Sequence, residues 1–153
     1  MPRITLTQSD ADCHAFWFLR DDVEQVMRGG LPVVFDISLP ISEMENFADN
    51  LRAALPGAIG EHRLWIFRHL GDGNLHVIVQ VRTQDYLALR PKIEALVYSP
   101  LAAFRGSVSA EHGIGLEKKA YLKVSRSETE IALMRTLKAA LDPRGILNPG
   151  KIL

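Results

Sequence analysis

Two alternating runs that meet at a short polar corner constrain this chain more than any other feature. Between Arg63 and Arg82, apolar residues recur at every second position on both sides of Leu70-Gly71-Asp72-Gly73-Asn74. Asp-Gly favours a two-residue type I′ turn, because that turn needs positive φ at both central positions. Folding the chain there opposes Leu70 to Leu75 and His69 to His76, and directly opposed residues share a face with Cβ atoms about 4.5–5.5 Å apart. One face then carries Leu64, Ile66, Leu70, Leu75, Val77, Val79 and Val81, interrupted by Arg68. The other carries Arg63, Trp65, Phe67, His69, His76, Ile78, Gln80 and Arg82. The first face is predicted to pack on helices and the second to meet a ligand or partner. A slip of one residue would bury both histidines. Two imidazoles at that separation can share a metal ion or form a structural pair.

A second cluster, Ser109-Ala110-Glu111-His112-Gly113-Ile114-Gly115, adds a carboxylate and a third imidazole. Two neutral imidazoles and one carboxylate (His69, His76 and Glu111) are a three-ligand set suited to zinc or a similar divalent ion, with a coordination position left open. Such an ion can hold a substrate oxygen and lower its pKa. His112, beside Glu111 on extended backbone, points away from the ion and is better placed as a general base. Asp72 reads as a turn former, with a hydrogen bond to a ligand imidazole as the alternative. Gly71, Gly73, Gly113 and Gly115 read as conformational, since neither Gly-x-Gly pair opens a strand-to-helix turn.

Along the chain, Phe16, Leu19, Val23, Val26 and Met27 predict a helix over 10–28 that ends at Gly29-Gly30. Arg20 flanks this stripe and either snorkels to water or clamps a carboxylate. Residues 31–39 alternate as a strand, and Ser42 with Glu45 forms a capping box for a helix running to Pro56-Gly57. Strands over 61–70 and 74–82 follow. A helix over 91–98 has Pro91 at its first position, with 85–90 a separate turn. Residues 106–110 read as a short strand, and Ser127 and Glu130 cap a last helix along Ile131, Met134, Leu137 and Leu141.

From residue 31 the order is strand, helix, strand, strand, helix, strand. This predicts an α+β, ferredoxin-like split βαβ fold: a four-stranded antiparallel sheet with helices on one face, plus an N-terminal helix and a C-terminal helical extension. Handedness and short connections favour the spatial order 4-1-3-2. The last strand then lies two strands from His76, roughly 9–10 Å away, so Glu111 reaches the histidines only if the chain curls over the sheet after Ala110.

The 153 residues suit one domain. Basic and acidic residues balance at 18 each, so no net field recruits nucleic acid or anionic lipid. The single cysteine, Cys13, excludes an internal disulfide framework, fits a cytoplasmic setting and reads as a small buried residue.

Three stretches together carry a family resemblance: His69-Leu70-Gly71-Asp72-Gly73-Asn74-Leu75-His76, Ser109 to Gly115, and Asp142-Pro143-Arg144-Gly145-Ile146-Leu147-Asn148-Pro149-Gly150-Lys151. With Phe35-Asp36-Ile37-Ser38-Leu39-Pro40, they resemble the C-terminal (cap) domain of FAD-linked oxidases of the vanillyl-alcohol-oxidase type. D-lactate and D-2-hydroxyglutarate dehydrogenases and the glycolate oxidase flavin subunit are of this kind. The resemblance implies that His69, His76 and Glu111 hold a divalent metal, zinc in some members, which binds the hydroxyl and carboxylate of a 2-hydroxy acid. It implies that His112 takes the hydroxyl proton while hydride passes to the flavin. Arg20 matches an arginine for the substrate carboxylate, and Asn148 lies in the tail that approaches FAD.

Hydroxyglutarate-type members carry a lysine where this chain has Val34, an asparagine at Ile78 and a threonine at Glu24, which implies a smaller or more apolar substrate than a diacid. The resemblance also implies that residues 1–153 form a single domain, the C-terminal part of a cap. FAD would be held chiefly by an N-terminal domain absent from this chain, and the 153 residues alone would be inactive as a dehydrogenase. The sheet face bearing Trp65, Phe67 and Ile78 would associate with that domain or with a second copy. The alternative is a freestanding ferredoxin-like module that binds a small molecule or protein without catalysis.

Overall fold

A computed structural model describes residues 6–22, 26, 28, 30–69 and 71–153. It is a mixed α/β chain: α1 (Asp10–Asp21), β1 (Leu31–Ser38), α2 (Met44–Ile59), β2 (Arg63–His69), β3 (Asn74–Val81), α3 (Tyr86–Tyr98), a one-turn α4 (Leu122–Ser125) and α5 (Glu128–Leu141). The described strands form a three-stranded antiparallel sheet in the order β1-β3-β2. One side of it packs on helices. Val33, Phe35, Ile37, Leu75, Val77, Val79 and Val81 meet Phe47, Leu51 and Leu55 of α2 and Ile93 and Val97 of α3, all buried. Each larger side chain withdrawn from water this way contributes about 1.5–3 kcal/mol. Arg68, the charged interruption on this face, reaches the edge of the layer and pairs with Glu45.

The predicted faces are present, but the hairpin register is not the predicted one. Phe67 opposes His76 and His69 opposes Asn74, two residues off the expected pairing. Residues 70–73, of which Leu70 lies outside the description, therefore connect the strands in place of a two-residue turn. The Asn74 N–H bonds to Asp72 Oδ1, and Leu39 N–H bonds to the Gly73 carbonyl. These bonds draw the corner toward the end of β1 and lengthen the loop. Because side chains alternate with period two, a shift of two leaves the described strand residues on their expected faces.

The fourth strand is not formed. Ser107 makes one bridge to Ser38 at the outer edge of β1, on the side where the order 4-1-3-2 would place a strand. Beyond it the backbone bonds to side chains: Val108 N–H goes to Ser125 Oγ, and the next N–H groups turn inward. Two helices also run through prolines expected to bound them. α2 passes Pro56 to Gly60, where φ is 71°, because Leu55 and Ile59 are both buried. It starts from a 3₁₀ turn at Ile41–Glu43 with no side-chain cap, so the Ser42–Glu45 capping box is absent. α3 absorbs Pro91 within one continuous helix. The carbonyl deprived of its partner belongs to Leu87, whose side chain is 85% exposed, so water can satisfy it.

α5 has the expected Ser127–Glu130 capping box, but only Ile131 of its stripe is buried, with Leu137 and Leu141 exposed. α1 ends at Asp21, and the rest of the predicted stripe falls largely outside the described residues. Phe16, Leu19 and Cys13 are exposed, which corrects the reading of Cys13 as buried: α1 lies outside the core that α2 and α3 make with the sheet. No helix among the described residues is long and apolar enough to cross a membrane.

Candidate metal and substrate site

On the sheet side away from the core, paired residues form rows. Ser38, Asn74 and His69 make one row. Asp36, His76 and Phe67 make the next, and Val34, Ile78 and Trp65 the third. His69 and His76 are thus diagonal neighbours on one face, with ring centroids 5.2 Å apart. The chain curls back after Ala110 and brings Glu111 over them. Ligand atoms of His69, His76 and Glu111 all lie within 4.8 Å of one another, and His69 Nε2 is 3.7 Å from Glu111 Oε1. The His112 ring stands 6.1 Å from the His76 ring. The face expected from alternation therefore gathers both histidines, and the loop adds the two residues expected of it.

Two contacts that the sequence reading did not assign hold this loop arm. Asp36, in the middle of an otherwise apolar strand, is 1% exposed. Its carboxylate accepts the N–H groups of Ala110 (3.0 Å), Glu111 (3.0 Å) and His112 (2.9 Å), and the Ser109 hydroxyl (3.2 Å). Lys118 Nζ closes the cluster, 3.3 Å from the carboxylate and 3.0 Å from the Asp36 carbonyl. Burial by itself would raise this carboxyl. The N–H groups of His112 and Glu111, the Lys118 ammonium and the Ala110 N–H outweigh it and hold the group well below the usual carboxylate range. The second contact is Asn74, 2% exposed, whose Nδ2 donates to Glu111 Oε1. Its Oδ1 is buried with no hydrogen-bond partner. Asp36 falls on the polar side of the β1 alternation, as expected of an ordinary open-face acid, so its burial had no local signal; Asn74 and Lys118 gave none either.

The donor chemistry fits a divalent ion. Burial pushes the His76 imidazole below its usual value, and His69 and His112 add to this against the pull of Asp36 and Glu111, so a neutral ligand nitrogen is favoured. Zinc bonds of about 2.0–2.2 Å place two donors of one ion no more than roughly 4.4 Å apart. The 4.8 Å within which the ligand atoms lie is only a few tenths of an ångström above that, a difference that side-chain adjustment can take up.

Of the other expected residues, Asn148 is not part of the described cluster. Arg20 belongs to α1, and its side chain lies outside the described residues. Asn148, at φ 48°, is exposed in the tail. That tail is organised by Asp142, which accepts from Ile146, Leu147 and Lys138, and is pinned to the site loop by Ile152 N–H on the Gly115 carbonyl. Ile78 is 4% exposed, so it does not form part of an open apolar patch; Phe67 at 39% and Val34 at 43% are open to solvent. A cleft of about 200 Å³ beside β1, lined by Val34, Tyr86, Arg90 and Glu117, is smaller than the roughly 300–1,000 Å³ of cofactor pockets and does not fit a flavin dinucleotide.

Residues 3–152 match the family described as FAD linked oxidases, C-terminal domain, and the chain belongs to that family. It is 41% identical over 151 residues to a D-2-hydroxyglutarate dehydrogenase of Xanthomonas citri pv. viticola, covering 96% of this chain and 32% of the relative. It is likewise 41% identical over 150 residues to the mitochondrial D-2-hydroxyglutarate dehydrogenase of Bos taurus, covering 97% and 27%. The Arabidopsis thaliana mitochondrial enzyme of that name is 37% identical over 150 residues, covering 97% and 26%. The chain thus spans about a third or less of the length of these relatives.

Proposed function

We propose that the chain is the metal- and substrate-binding part of an FAD-dependent 2-hydroxy acid dehydrogenase. The observation that carries this is the convergence of His69, His76 and Glu111 on one sheet face with the His112 ring alongside. In this reading the three residues hold a divalent ion, zinc being the best fit to the donor set. When bound, the ion supplies Lewis acidity toward a hydroxyl and carboxylate. The His112 imidazole takes the hydroxyl proton as the reaction's base, and Arg20 pairs with the substrate carboxylate.

In this reading FAD rests on a region outside these 153 residues, and Asn148 in the exposed tail contacts it. The chain is then a single domain, a cap in the ferredoxin-like style with the Ser107 edge standing for its fourth strand, and by itself it reduces no dye. Val34 lies one sheet row, roughly 7 Å, from the Asp36–His76 row and is open. An apolar residue there supports a shorter or less polar acid than the hydroxyglutarate of the relatives' names. The open face around Phe67 meets the flavin-carrying region. Self-association through it would show as dimer in sedimentation and would rest on Phe67 without Ile78, which is buried. A cytoplasmic setting rests on the single cysteine alone, and several relatives are named as mitochondrial; fractionation of the source cells decides it.

The test is metal titration of the purified chain. One zinc or cobalt ion per chain is expected, with affinity falling at least about a hundredfold in His76→Ala, since even losing an outer partner of a metal ligand costs 10–100-fold. A chain that takes up no ion would leave the non-catalytic binding module as the better reading.

A further inference from the structure

The structure assigns Asp36 as the positioning residue of the site: one buried carboxylate fixes where Glu111 and His112 stand relative to His76. This rests on the metal-site reading above and goes beyond it, because Asp36 is neither a ligand nor a group facing substrate.

Three consecutive backbone N–H groups, those of Ala110, Glu111 and His112, point at the same side chain. Successive N–H groups in such a curl form a concavity for an anion, and here the anion is supplied by the protein. Glu111, His112 and Ala110 have exposed side chains, yet their N–H groups bond inward to a residue that is itself 1% exposed. Asp36 is also the direct cross-strand partner of His76. One residue therefore ties the loop that carries the glutamate to the strand that carries the histidine.

The choice of side chain follows from that geometry. An asparagine would keep one acceptor oxygen and turn an NH2 group toward the N–H donors. A glutamate would keep the charge opposite Lys118 but push the loop outward by one methylene. The carboxylate needs its compensation, since an isolated buried charge is very costly. Lys118, 9% exposed at its side chain, provides that from the far side and also donates to Ser109 Oγ.

The experiment uses the 153-residue chain with cobalt(II) as the probe, and Asp36→Asn and Asp36→Glu as variants. In the native chain the amides of residues 110–112 are expected to exchange slowly with solvent, unlike those of an ordinary surface loop. In either variant that folds, they should exchange at least tenfold faster. Cobalt affinity should fall by about tenfold or more, and the visible spectrum of the bound ion should change. Asp36→Glu keeps the ion pair, so it serves if Asp36→Asn fails to fold. A variant with native cobalt affinity and unchanged amide protection overturns the proposal, as does a native chain whose amides 110–112 exchange freely. If the native chain binds no cobalt, the metal reading fails. The amide protection and its loss in Asp36→Glu then decide the anchoring role separately.

Discussion

The two arms of the site are held by different physics. The hairpin arm places His69 and His76 through a continuous antiparallel ladder from Arg63 to Val81, in which every second residue must face the same way. The loop arm places Glu111 and His112 with no ladder beyond the single Ser38–Ser107 bridge, and its backbone donors end on the carboxylate of Asp36. A side-chain change in the hairpin removes one group and leaves the frame. A side-chain change at Asp36 or Lys118 removes the frame. Regular backbone makes a site robust, whereas irregular backbone makes it depend on a few buried polar atoms.

The largest expected effect breaks the loop arm. Lys118→Met strips the buried Asp36 of its counter-charge, and removing one partner of a buried pair costs about 3–5 kcal/mol. Urea unfolding should show that loss; a change below about 1 kcal/mol would mean that the N–H cluster alone compensates the carboxylate. The next probes the hairpin arm at a constrained backbone position. Gly73 has φ 76°, and a Cβ there would stand 2.5 Å from the Leu39 carbonyl oxygen. Gly73→Ala should cost about 2–3 kcal/mol from the positive φ and the overlap together, read from the same unfolding curves, while every side chain of the site stays in place.

Acid separates the arms further. Asp36 is held below its ordinary value of 3.8 in the fold. Its contribution is complete above that pH and is lost as pH falls below it, because the unfolded chain takes up the proton first. His76 is also lowered, from 6.5. The unfolded chain again binds the proton more readily, so stability of the metal-free chain falls as pH drops below 6.5 toward the folded value. Urea midpoints from pH 7.5 to 3 should therefore decline in two stages. His76→Ala should remove the upper stage alone; a single stage lying wholly below pH 4 would show that the His76 site is not selective for the neutral ring.

The same contrast explains what the sequence made legible. The hairpin faces could be read because alternation is a local signal, and they survive a register error of two. Asp72-Gly73 alone suggests a two-residue turn, whereas the bond from Leu39 to Gly73 comes from the end of a strand some thirty residues upstream. The loop arm showed its ligands, Glu111 and His112, but not its support. The partner of those N–H groups is a side chain more than seventy residues away, which no local pattern encodes. Pro56 and Pro91 mark boundaries on local grounds, and the burial of Leu55, Ile59, Ile93 and Val97 overrides them. α1 and the end of α5 went the other way: their periodic stripes are present, but Phe16, Leu19, Leu137 and Leu141 lie exposed, because periodicity shows which residues share a face without showing what covers it.

The smallest expected effect makes the sharpest control. Arg52 and Asp49 pair at 2.8 Å on α2, closer than Lys118 and Asp36, but with side chains 52% and 65% exposed. If distance decided the worth of an ion pair, Arg52→Ala would rival Lys118→Met. Solvent instead screens the exposed pair, and ordering two long side chains offsets what attraction remains, so the expected loss is below about 0.5 kcal/mol. The buried pair differs because its carboxylate cannot return to water when the lysine is removed. Comparable losses in the two variants would mean that the Asp36 cluster is open to solvent in the free chain, and the loop arm would then have no fixed support for Glu111.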